Sequence, residues 1–83
     1  MCQACLYIVN GVKSRIWDPR TVEDYQIHNY IEQTCRSPPS PPKMNGKCPC
    51  ACIFEQQEKL LILFHQGIVD VRVLCKAIDM CVD

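Results

Sequence analysis

Eight of the 83 residues are cysteines, and their order constrains this chain more than any other feature. They run Cys2-x-x-Cys5, then Cys35, then the cluster Cys48-Pro49-Cys50-Ala51-Cys52, then Cys75-x5-Cys81. A chain this short buries too little apolar surface for a core alone to hold it with much margin, and small natural domains add covalent staples. Cysteine at close to a tenth of the residues reads as a disulfide scaffold made in an oxidising compartment. Zinc is the rival use, because Cys-x-x-Cys and the central cluster could supply thiolates. Against it, Cys2 and Cys5 open an amphipathic helix rather than a metal knuckle. No metal or cofactor is expected.

Between the cysteines the apolar residues recur at helical spacing, which predicts an all-α single domain over 1–83. Cys2, Cys5, Val9, Val12 and Ile16 form one stripe of a helix over about 2–17, and Asp18-Pro19 breaks it. Thr21 is a candidate N-cap for a second helix over about 21–35, with Glu23 and Asp24 in the first turn, where the dipole favours negative charge. Residues 36–47 hold Ser37-Pro38-Pro39-Ser40-Pro41-Pro42 and read as a loop, since these prolines lack amide hydrogens and keep extended geometry. A third helix is expected over about 51–65, ended by Gly67 in the left-handed conformation. Asp70 should cap a fourth over 71–80, with Val71, Leu74, Cys75 and Ile78 as its stripe.

Composition excludes several classes. The nine basic and nine acidic residues balance, and no Lys/Arg run marks a nucleic-acid surface. The longest apolar run, Leu60 to Phe64, is far too short to span a bilayer. Met1 is followed at once by Cys2, which is read as the start of a mature, secreted form. No Gly-rich phosphate loop or paired-carboxylate motif appears, and cysteines committed to disulfides are not nucleophiles, so an enzyme is not expected.

Eight cysteines allow 105 pairings. Cys2 and Cys5 are three apart and share a helix face, so they can staple to one partner helix. The economical partners are Cys75 and Cys81, which brings the chain ends together. Cys35 closes the second helix and the cluster opens the third, so the Pro-rich loop is stapled at its neck.

This arrangement resembles the saposin-like (saposin B-type) family, which includes saposins, amoebapores and NK-lysin. The pattern there is Cys-x-x-Cys on helix one, a Cys ending helix two, a Cys opening helix three, and Cys-x5-Cys at the end. The likeness covers essentially the whole chain. Thr21-Val22-Glu23-Asp24, Tyr30-Ile31-Glu32-Gln33-Thr34-Cys35 and Asp70, five residues before Cys75, also fall in register. The resemblance implies four to five amphipathic helices in a folded leaf, with Cys2 paired to Cys81, Cys5 to Cys75, and Cys35 to one of the cluster, Cys50 being favoured. The family has six cysteines, so two here are additional. They would form Cys48–Cys52 or remain thiols.

The same resemblance implies a secreted, lysosomal or granule-lumen protein that binds lipids or a membrane surface. Such leaves open at hinges, here near Pro19 and Gly67, and offer an apolar concave face. The candidate lipid-facing residues are Leu6, Val9, Val12, Ile16, Trp17, Tyr25, Ile31, Phe54, Leu61, Phe64, Val71, Leu74 and Ile78. Each is equally a core residue when apolar stripes simply pack on one another. Trp17, beside the helix break, is a candidate interfacial anchor. Lys13, Arg15, Arg20, Arg72 and Lys76 are candidates for anionic headgroups, against a plain solvated exterior. His28 and His65 are candidate sensors of acid pH. A homodimer and a lipid hydrolase partner are compatible with the resemblance. A pore-forming antimicrobial or cytolytic effector of the amoebapore type, and a disulfide-rich interaction module with no lipid role, are the alternatives.

Overall fold

The computed structural model describes residues 2–36 and 50–82. Five helices follow in order: α1 (Cys2–Arg15), α2 (Asp24–Arg36), α3 (Cys50–Glu55), α4 (Gln57–His65) and α5 (Val71–Ala77), with no strand among the described residues. The protein is all-α and disulfide-stapled. Most of the expected Pro-rich loop lies outside the described residues.

α1 stops at Arg15 rather than at residue 17. Proline disfavours helical backbone at the residue before it, so Pro19 acts on Asp18, and the Ile16 amide already bonds three residues back, to the Lys13 carbonyl. Asp18 then organises the turn. Its Oδ1 accepts from the Arg20 amide at 3.0 Å, and its carbonyl accepts from the amides of Thr21 and Val22. That use of Thr21 removes it as the cap of α2. The helix instead begins at Asp24, and Gln26 reaches back so that its Oε1 accepts from the Glu23 amide at 2.9 Å. This is the reciprocal arm of a capping box.

The expected helix over 51–65 is two helices. At Gln56 (φ −104°, ψ 11°) the amide bonds to the Ile53 carbonyl, three residues back. Neither Gly nor Pro punctuates the site, and the bend is held from outside. The Cys35–Cys50 bond ties the start of α3 to the end of α2. Immediately after the bend, Gln57 Nε2 donates to Asp24 Oδ1 and Gln57 Oε1 accepts from His28 Nδ1, both at 3.0 Å.

α4 ends as expected at Gly67 (φ 85°). The Gly67 amide bonds to Phe64 and the Ile68 amide to Leu63, a Schellman motif. Asp70 caps α5, its side chain accepting from the amides of Arg72 and Val73. α5 is shorter than the expected 71–80 because a second Schellman motif closes it. Asp79 takes the left-handed conformation (φ 62°), its amide bonding to Lys76 and that of Met80 to Cys75. On a continuous helix Cys75 and Cys81 would sit about 120° apart around the axis, whereas Cys2 and Cys5 sit about 60° apart. The turn after Ala77 brings Cys81 to Cys2 while Cys75 meets Cys5.

The helices make two layers. α1 packs against α5, α2 packs against α3 and α4, and the layers face each other chiefly through α1 and α2. The thinnest dimension, 18 Å between Cα extremes, suits two helix layers. Between them lie Cys5, Ile8, Val9 and Val12 from α1, Ile27 and Ile31 from α2, Ile53 from α3, Leu60 and Phe64 from α4, and Leu74 and Cys75 from α5, all essentially inaccessible.

Candidate functional site

The covalent bonds follow the layers. Cys2–Cys81 and Cys5–Cys75, with Cα separations of 4.6 and 6.1 Å, both lie within the α1–α5 layer. Cys35–Cys50 lies within the α2–α3 layer. None of these three bonds joins one layer to the other. Cys52 is also disulfide-bonded, and no described cysteine is free. The expected Cys48–Cys52 bond involves Cys48, which lies outside the described residues. Three disulfides fit an oxidising environment.

What holds the layers together is therefore mostly apolar. Of the residues expected to face lipid, Val9, Val12, Ile31, Phe64, Leu74 and Ile78 are buried within the core. Leu6, Ile16, Phe54, Leu61 and Val71 are partly buried and pack against it. Only Trp17 and Tyr25 stand in solvent, Trp17 at 99% exposure. The apolar faces of the two layers cover each other.

Polar contacts also cross the seam. Arg15 Nη1 on α1 donates to Thr34 Oγ1 on α2 at 3.2 Å, and that hydroxyl donates to the Tyr30 carbonyl at 2.8 Å. Thr34 is thereby satisfied although buried. Beside it the helices touch: a Cβ on Gly11 would stand 2.7 Å from Thr34 Cγ2. Lys59 Nζ on α4 donates to the Ala77 carbonyl at the end of α5, 3.1 Å away, where the helix dipole favours a cation. Sequence reasoning did not place Gly11, Thr34 or Lys59 at the seam. A glycine inside an otherwise helical stretch is the one signal that marks a close approach.

The two loops that connect the layers, residues 16–23 and 66–70, lie together at one end. The Arg20 guanidinium covers Gly67, and His65 Nε2 donates to the Val22 carbonyl at 2.6 Å. An apolar hollow of about 200 Å³ opens there, lined by Lys13, Ile16, Pro19, Phe64 and Val69. A more polar one of about 290 Å³ lies on the other side of the loop, lined by Trp17, Asp18, Thr21, Val22, Gln26 and Tyr30. The expected hinges near Pro19 and Gly67 fall in these loops. Lys13, Arg15, Arg20, Arg72 and Lys76 are all exposed. The described contacts of both histidines use a ring nitrogen as donor, since their partners are amide oxygens.

Among the described residues no three metal-ligating side chains come together. No described helix is long and apolar enough to cross a membrane. Compared with family models, curated proteins and solved structures, the chain matches none.

Proposed function

We propose that this is a secreted, saposin-like lipid-binding domain that works on membranes by separating its two layers, without chemistry of its own. One observation carries the reading: each layer is stapled within itself, and none of the three described disulfides crosses the seam. A domain selected only for stability gains most from cross-links between parts that would otherwise separate. The described contacts across the seam include apolar packing, an Arg15–Thr34 hydrogen bond and a Lys59–Ala77 hydrogen bond. Lipid tails are as apolar as the residues they would replace, so exchanging layer-to-layer packing for layer-to-lipid packing changes little free energy per unit area. The loops 16–23 and 66–70 are the hinges of that motion. The closed state keeps the apolar faces from water until lipid is present.

The test is binding to, and dye release from, liposomes of phosphatidylcholine with and without phosphatidylserine, at neutral and acidic pH. Binding without sustained release is the expected result for a lipid carrier. Rapid release would move the reading to the pore-forming alternative. Absence of binding under every condition would leave a disulfide-rich interaction module with a dry core.

A further inference from the structure

The more polar hollow beside the loop 16–23, about 290 Å³, has a distinctive wall. Its one charged residue is Asp18, and no Lys or Arg lines it. Arg20, in the same turn, lays its guanidinium over Gly67 instead. Two of the lining residues, Trp17 and Tyr30, are aromatic. Trp17 is the only tryptophan in the chain and stands at 99% exposure, so its ring is open to a ligand. The recess thus attracts a cation by sign, and it offers that cation aromatic surface, which binds positive charge through the ring quadrupole. The hydrogen-bond acceptors decide which cation fits. Asp18 Oδ1 accepts from the Arg20 amide, and the Asp18 carbonyl from the amides of Thr21 and Val22. Gln26 Oε1 accepts from the Glu23 amide, the Val22 carbonyl from His65 Nε2, and the Tyr30 carbonyl from Thr34 Oγ1. A metal ion or a primary ammonium gives up strong hydration and needs several oxygens in return. Most oxygens around this recess are already engaged. A quaternary ammonium has no N–H to satisfy, so charge and aromatic contact are all that it requires.

We propose that this recess binds a small quaternary ammonium ion of the choline type. Asp18 supplies the counter-charge, Trp17 and Tyr30 the aromatic surface, and Val22 apolar contact for the N-methyl groups. The volume lies below that of sites for drug-sized ligands and suits a cation of a few heavy atoms. The inference does not rest on the lipid-binding reading, because a free cation needs neither a bilayer nor separation of the layers. The same chemistry is offered in solution by free choline and at a surface by the phosphatidylcholine headgroup, and the test separates these two sources.

Choline chloride is titrated into the intact oxidised protein while NMR follows the Trp17 indole N–H and the backbone amides. Ethanolamine and sodium chloride at equal ionic strength are the controls. Choline should give saturable shifts around the recess with a Kd in the millimolar range, and ethanolamine should bind about fivefold more weakly. Trp17→Ser and Asp18→Asn should each raise the Kd for choline about threefold, and Trp17→Phe, which keeps an aromatic face, should raise it less. Asparagine retains an oxygen to accept from the Arg20 amide, so the turn is kept, and circular dichroism checks the helices of each variant. Ethanolamine binding as tightly as choline, a Kd unmoved by both Trp17→Ser and Asp18→Asn, or no saturable shift with choline overturns the proposal and leaves the lipid reading standing. Sedimentation with phosphatidylcholine vesicles then identifies the source. Displacement of bound protein by free choline supports the site and assigns it to the headgroup. Saturable choline binding without such displacement supports it and assigns it to the free ion.

Discussion

Removing the clasp disulfides one at a time and then together should give strongly non-additive losses. Cys5–Cys75 spans 70 positions and Cys2–Cys81 spans 79. Alone, either bond closes most of the chain into one loop, which in the chain-entropy account contributes roughly 4.4–4.5 kcal/mol. With one in place, the other closes only the segments 2–5 and 75–81, about nine residues between them, and contributes roughly 2.6 kcal/mol. Replacing Cys2 and Cys81 by alanine should therefore cost about 2.6 kcal/mol, and replacing Cys5 and Cys75 about the same plus the loss of packing at two fully buried sulfurs. Removing all four should cost about 7 kcal/mol. That total lies inside the range of roughly 4–12 kcal/mol expected for the whole stability of a chain this long, so the quadruple variant should be largely unfolded. Guanidinium titration followed by far-UV circular dichroism measures the series. A loss of 4 kcal/mol or more from removing Cys2–Cys81 alone, or a quadruple loss no larger than the sum of the two pairs, would refute the loop arithmetic. It would mean that the two bonds act through native-state strain or residual denatured structure instead.

Backbone positions give three further predictions. Gly67→Ala should lower stability by about 1–2 kcal/mol, because residue 67 sits at φ 85°, and removing Arg20 in addition should not recover it, since the strain lies in the backbone; thermal unfolding of the single and double variants checks this. Asp79→Gly should raise stability by about 0.5–1 kcal/mol by relieving the left-handed residue that ends α5, visible as a higher denaturant midpoint with an unchanged slope. Gly11→Ala, which by helix propensity alone should stabilise by about 1 kcal/mol, should destabilise here because the new Cβ meets Thr34 Cγ2. Adding Thr34→Ala should restore the fit, and if Gly11→Ala proves stabilising by itself then the seam between α1 and α2 is looser than its geometry implies.

Local chemistry explains which parts of the fold were legible in the sequence. Asp70 as a cap and Gly67 as a stop depend on a few neighbouring backbone groups, and both act where the residue types place them. The resemblance to saposin-like domains implies Cys2–Cys81, Cys5–Cys75 and a bond from Cys35 to one of the central cluster, Cys50 being favoured; the bonds found are Cys2–Cys81, Cys5–Cys75 and Cys35–Cys50. Thr21 misleads because Asp18, three residues earlier, competes for the same turn, and a side chain cannot be assigned as a cap without knowing what the preceding turn has already used. The break at Gln56 has no local marker, being held by contacts to α2 far away in sequence. The stripe reads on through Ile78, but Asp79 in the left-handed conformation closes α5 earlier, and no glycine marks that position.

The candidate lipid face divides the same way. Spacing alone determined that each helix has an apolar side, because periodicity is a property of the chain and needs no partner to exist. Whether that side is sealed depends on what stands opposite, and only the tertiary structure decided that Val9, Val12, Ile31, Phe64, Leu74 and Ile78 cover one another while Trp17 covers nothing. Sequence alone likewise made this an all-helical, stapled domain, since cysteine density and helical pattern act before any packing does. That the three described staples run within layers and not between them belongs to the assembled fold, because it depends on which helices become neighbours.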